Sequence, residues 1–219
     1  MTQSAKQYFR YYGYVAAGLA VLAVIVLGFR GSIEDILLTE SGLIERSSAI
    51  GYFTCAAYML AKGGRSFFRM RGYFVVLVTL FGCRELDFDK AFTTIGILKS
   101  RFFVSPEVPL GEKVAGFIVI AILIWSVYQI LSQHLTGFLS GLREKTPEAI
   151  GVAIVFFLLV FSKSIDGLPR KLQPLGIDVS ADINSFFGAL EEVLELGIPI
   201  YIGLVAHAWF KRQSEQQSD

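Results

Sequence analysis

Apolar residues run along the chain in six continuous stretches, at 11–29, 47–61, 73–83, 114–131, 149–161 and 194–210, and the segments between them carry most of the charge. No stretch alternates polar and apolar residues along its length, so the pattern predicts helices and not the strands of a membrane barrel. A helix needs about 20 apolar residues to cross a hydrocarbon core about 30 Å thick. The first and fourth stretches come close to that length; the others fall short. The 73–83 run spans only about 16 Å at 1.5 Å per residue. To cross, it must take in Arg69 and Arg71 on one side, or Arg84, Glu85 and Asp87 on the other.

Local signals punctuate the pattern. Thr146-Pro147-Glu148 reads as an N-cap, an N1 proline and an early acid, predicting a helix start. Gly63-Gly64 predicts the end of the second helix. Segments 32–38 and 94–103 mix apolar and charged residues, which predicts short helices lying in the membrane interface. Gly13 and Gly18 would let the first helix approach a neighbour closely. Tyr8, Tyr11, Tyr12 and Tyr14, with Trp209 beside Lys211 and Arg212, read as an aromatic belt. The first run is longer than a signal-peptide core, and no small-residue cleavage site follows at 28–30, so an uncleaved span is expected. The expected fold class is an all-α integral membrane bundle of six transmembrane helices with interfacial segments in the outer loops. It forms one domain over 1–212, followed by a polar tail at 213–219.

Composition strengthens this reading. Hydrophobic residues make up 53% and charged residues 18%, with mean hydropathy +0.55, against about 25% charged in soluble domains. The net charge of +1 gives no electrostatic footprint for nucleic acid. The expected partners are the lipid bilayer and either a second copy or another membrane protein. Lys62, Arg65, Arg69 and Arg71 crowd one compact loop, KGGRSFFRMR, which places that loop and both termini inside. The same loop could touch anionic lipid headgroups.

The acids then fall at the outer ends of the short spans: Glu45 before the second, Glu85 and Asp87 after the third, Asp166 after the fifth, and Glu191, Glu192 and Glu195 at the start of the sixth. Ionisable groups at membrane depth face a bundle interior or water, so packed together these acids would line an outward-facing pocket. Glu191 and Glu195 share a helix face. Pro199 removes the usual donor to the Glu195 carbonyl. Carboxylates and a free carbonyl are hard oxygen ligands that suit Ca²⁺, Mg²⁺ or Na⁺, and neighbouring carboxylates can equally share protons. The expected function is to bind or pass a cation or proton, as a transporter, channel or sensor component. The alternatives are an intramembrane metal-dependent hydrolase or lipid-modifying enzyme using the same acids, and an accessory subunit in which Arg46, Arg84 and Lys163 merely neutralise them.

Other chemistry is sparse. Cys55 and Cys83 form no metal pattern, and there is no P-loop, GxSxG elbow or HExxH. His134 and His207 fall at the inner ends, away from the acids, and read as packing residues. The membrane serines read as helix-bonded.

Two segments, Arg84-Glu85-Leu86-Asp87-Phe88-Asp89-Lys90 with 97–103, and 191–196, resemble multi-pass bacterial membrane proteins that have no assigned activity. That resemblance implies a bacterial inner membrane and no particular chemistry. An early acid, an acid in the third span and a late histidine are loosely similar to the seven-span membrane hydrolases that include alkaline ceramidases. That metal site uses several histidines and this chain has two, so no catalytic residue carries over.

Overall fold

The computed structural model describes residues 3–28, 42–99, 101–176 and 179–218, and no strand occurs among them. The elements are α1 (Gln3–Gly28), α2 (Leu43–Glu85), α3 (Phe88–Phe92), α4 (Leu110–Glu144), α5 (Pro147–Ile165), α6 (Leu168–Leu172), a 3₁₀ turn (Gln173–Leu175) and α7 (Ala181–Ser218). The helices α1, α2, α4, α5 and α7 are long and apolar enough to cross a membrane.

The helix α2 is not one rod. Gly64 (φ 60°) and Arg71 (φ −137°) leave helical geometry inside it. In a straight helix Tyr52 and Phe81 would sit about 43 Å apart; their rings are 5.8 Å apart. Phe53 packs on Gly82, where a Cβ would come within 3.1 Å of the ring. The chain therefore doubles back, with arms 43–63 and 72–85 side by side and a helical turn at 65–70 between them. The predicted stop at Gly63-Gly64 is this turn, and Gly64 takes a positive φ that costs little only without a Cβ.

The helix α7 is the hub, packing on α5, α2 and α1. The core between them gathers Tyr12, Tyr52, Met59, Val78, Leu158 and Tyr201. Close approach comes from glycines on the partner helices. A Cβ on Gly51 would lie 2.9 Å from the Pro199 ring, so α2 meets α7 at its proline. Gly13 and Gly18, expected to serve this purpose, face open space.

The outside of the bundle is apolar. On α4, Phe117 is 68% and Tyr128 65% exposed, a surface suited to lipid and not to water. Thr146 accepts a hydrogen bond from the Ala149 amide with Pro147 in the first turn, so α5 starts as its sequence predicts.

Two further expectations are corrected. Segment 94–103 forms turns and no helix; the short helix lies earlier, at α3. Phe102 explains this, because its fully buried ring packs on Gly116 with Ile95 and Val108 nearby, while the Thr94 amide and hydroxyl bond to Glu112. Side-chain anchoring to α4 thus replaces local helix formation. Tyr8 and Tyr12 are buried core residues; only Tyr11 and Tyr14 are exposed as a belt requires. Segment 32–38 lies outside the described residues.

Candidate functional site

The polar contacts sort to the two ends of the bundle. At one end the Tyr8 hydroxyl and His207 Nδ1 lie 2.7 Å apart, Arg212 pairs with Glu148 at 3.7 Å, and the Arg71 guanidinium sits 4.6 Å above Trp209. At the other end lie most of the acids singled out above.

Lys163, in the last turn of α5, is the centre of that second end. Its Nζ lies 2.9 Å from Glu195 Oε1, 3.0 Å from Glu191 Oε1 and 3.2 Å from Asp166 Oδ2. Glu191 and Glu195 lie one turn apart on α7, so both reach the same ammonium. Arg84, at the end of the second arm of α2, approaches the same Glu195 oxygen at 3.7 Å. The Glu195 side chain is 10% exposed. One carboxylate oxygen therefore ties three transmembrane elements together.

The remaining acids surround this pair. Glu85 is 7% exposed, and its charge interacts with Glu195, Arg84, Lys163 and Glu45. Glu192 interacts with Glu195, Glu45, Glu191 and Glu85. Tyr52, fully buried on the first arm of α2, faces the charges of Glu85, Glu195 and Arg84. Among the described residues neither Glu85 nor Glu192 forms an ion pair. Among the described residues, carboxylates thus outnumber the cations that pair with them at this end of the bundle.

Of the seven expected acids, Asp166, Glu191 and Glu195 meet at Lys163, and Glu85, Glu192 and Glu45 lie within electrostatic reach of them. Asp87 does not join them. The second arm stops at Glu85, and Asp87 turns out in a left-handed conformation (φ 50°) to pair with Lys90 at 2.8 Å. Sequence reasoning missed Tyr52, whose place inside an apolar run carries no signal of a charged neighbour. It named Lys163 only as a neutraliser of the acids, and its proximity to the serines gave no hint of a central position.

Among the described residues no group of three or more His, Cys, Asp or Glu side chains is arranged to hold a metal ion. The physical reason is visible at the site: the Lys163 ammonium occupies the point on which Glu191, Glu195 and Asp166 converge. The carbonyl engaged near the proline is that of Pro199 itself, which accepts a hydrogen bond from Cys55 Sγ at 3.1 Å. The serines are spent on their own helices: Ser162 donates to Leu159 O, Ser164 to Val160 O and Ser48 to Ile44 O. His207 bonds Tyr8 and His134 bonds Tyr73 at 2.8 Å, both as packing residues far from the acids. No known protein family, curated protein or solved structure matches the chain.

Proposed function

We propose that the chain crosses a bacterial inner membrane six times, with both termini inside, and binds a proton or a monovalent cation among the carboxylates at its outer end. The six passes follow from counting the two arms of α2 separately. The side follows from the basic turn between those arms.

The observation that carries the functional reading is the Lys163 ammonium held within 3.2 Å of three carboxylates while Glu85 and Glu192 lie beside it without a paired cation. A buried site with more carboxylates than cations is completed by a bound proton or a small cation, since uncompensated charge in low dielectric is costly. Lys163 is the resident cation, and the exchangeable one is held by Glu85 and Glu192. A divalent metal would have to displace the ammonium, so metal-dependent hydrolysis draws no support from this geometry. Binding where the ends of packed helices lie side by side suits a transporter, channel or sensor component.

The test is a thermal-stability titration of the purified protein with Na⁺, K⁺, Mg²⁺ and Ca²⁺, and with pH between about 5 and 8. The expected result is a stability that depends on pH or on a monovalent ion in the wild type and flattens in Glu85→Gln and Glu192→Gln. A flat wild-type profile, or one unchanged in both variants, would favour plain structural bridging.

A further inference from the structure

The end of the bundle opposite the carboxylates carries basic residues that form no ion pair among the described residues. Lys6 and Arg10 lie on one face of the first turns of α1, at helical spacing with Gln3 and Gln7. Lys62 lies at the end of the first arm of α2, and Arg65 and Arg69 lie in the turn between the arms. Aromatic contacts bring the two segments to the same end of α7: Tyr8 to His207, and Phe67 to Trp209 and Phe210. None of these five cations forms an ion pair among the described residues; the ion pair at this end joins Arg212 to Glu148.

The turn is also well fixed. The Phe67 ring lies 5.6 Å from Trp209 and 5.3 Å from Phe210, and Arg71 closes the turn over the same Trp209 at 4.6 Å. Residues two apart on a helix point roughly 200° apart, at about 3.6 residues per turn. Phe67 held inward therefore turns Arg65 and Arg69 outward on one common face, and both are exposed. Phe68 and Met70, between and beside them, are 48% and 66% exposed. Two exposed guanidinium groups on an anchored turn, with apolar neighbours and at the rim of a bundle with apolar sides, match a phosphate at the headgroup level with acyl chains beneath it.

We infer that this basic end is a binding surface for anionic phospholipids. Arg65 and Arg69 take the headgroup phosphate, Lys62, Lys6 and Arg10 add attraction, and Phe68 and Met70 lie among the acyl chains. The inference rests on the membrane reading and is independent of the site at the other end.

The experiment counts lipids retained by the full-length protein in mild detergent, by native mass spectrometry, after mixing with equal amounts of dioleoylphosphatidylglycerol and dioleoylphosphatidylcholine. Each basic residue near an anionic surface contributes roughly fivefold, so Arg65 and Arg69 together account for a preference of about 30-fold for phosphatidylglycerol. The double variant Arg65→Gln/Arg69→Gln should lose most of it. Lys6→Gln/Arg10→Gln, which leaves the α2 turn intact, should also lower it, and Arg46→Gln at the far end should not. Melting temperatures show that each variant is folded. Glycerophosphoglycerol, the headgroup without chains, should fail to displace the lipid. No phosphatidylglycerol preference in the wild type, an undiminished preference in both double variants, or displacement by the free headgroup would overturn the inference.

Discussion

Replacing Lys163 by Met keeps a four-atom apolar stem and removes the ammonium. Glu191 then loses its ion pair, and Glu195 keeps only Arg84 at 3.7 Å. Breaking a fully buried pair costs about 3–5 kcal/mol, whereas exposed pairs contribute about 0.2–1 kcal/mol. The Lys163 side chain is 37% exposed, with Glu195 at 10% and Glu191 at 17%. Partial screening therefore places the cost near the middle, about 2 kcal/mol. For a chain of this size that corresponds to a fall in Tm of roughly 4–8 °C. The assay is reversible unfolding in mixed micelles, run as a double-mutant cycle with Glu195→Gln. Lys163→Met should be destabilised as stated, and the double variant should be less destabilised than the two singles added, with a coupling of at least about 1 kcal/mol. A loss below about 0.5 kcal/mol, or strict additivity, would refute the view that Lys163 is the centre of the site.

Three further predictions concern the frame around the site. Tyr12 donates a hydrogen bond to Pro147 O at 2.8 Å and accepts one at its own carbonyl from Tyr201; Tyr12→Phe should cost about 1 kcal/mol in the same unfolding assay. Gly51→Val drives a Cβ against the Pro199 ring, which the α7 backbone cannot move aside, so a loss of about 1–3 kcal/mol is expected, with no change if α2 and α7 are not in contact there. Asp87→Asn removes only an exposed pair with Lys90, so stability should stay within about 0.5 kcal/mol and the ion and pH response should match wild type.

The helices were legible because each apolar run is long or bounded by clear punctuation: Thr146-Pro147 opens α5 and Gly64 breaks α2 as their chemistry demands. That Glu191 and Glu195 share a helix face was legible from their spacing, and both reach the Lys163 ammonium. What stayed hidden depended on which faces pack. Nothing in the spacing of Gly13 and Gly18 distinguishes them from Gly51, because a close approach is set by the partner, here Pro199. Tyr8 and Tyr12 look like belt residues from their position, yet their hydroxyls find His207 and the Pro147 carbonyl inside the bundle. Asp87 sits two residues beyond Glu85 and was indistinguishable from it in sequence. The helix end at Glu85 and the left-handed turn at Asp87 separate a buried acid from an exposed one.

The measurement that bears most directly on the central claim is the pH-dependent infrared difference spectrum of the reconstituted protein in the carbonyl region of protonated carboxyl groups. The account predicts a carboxyl band that appears and disappears reversibly with pH or with a monovalent cation. The band should be lost or shifted in Glu85→Gln or Glu192→Gln and retained in Asp87→Asn. A spectrum with no titrating carboxyl band, or a band that survives both Glu85→Gln and Glu192→Gln, would contradict an exchangeable proton or cation beside Lys163 and leave Lys163 as a structural clamp.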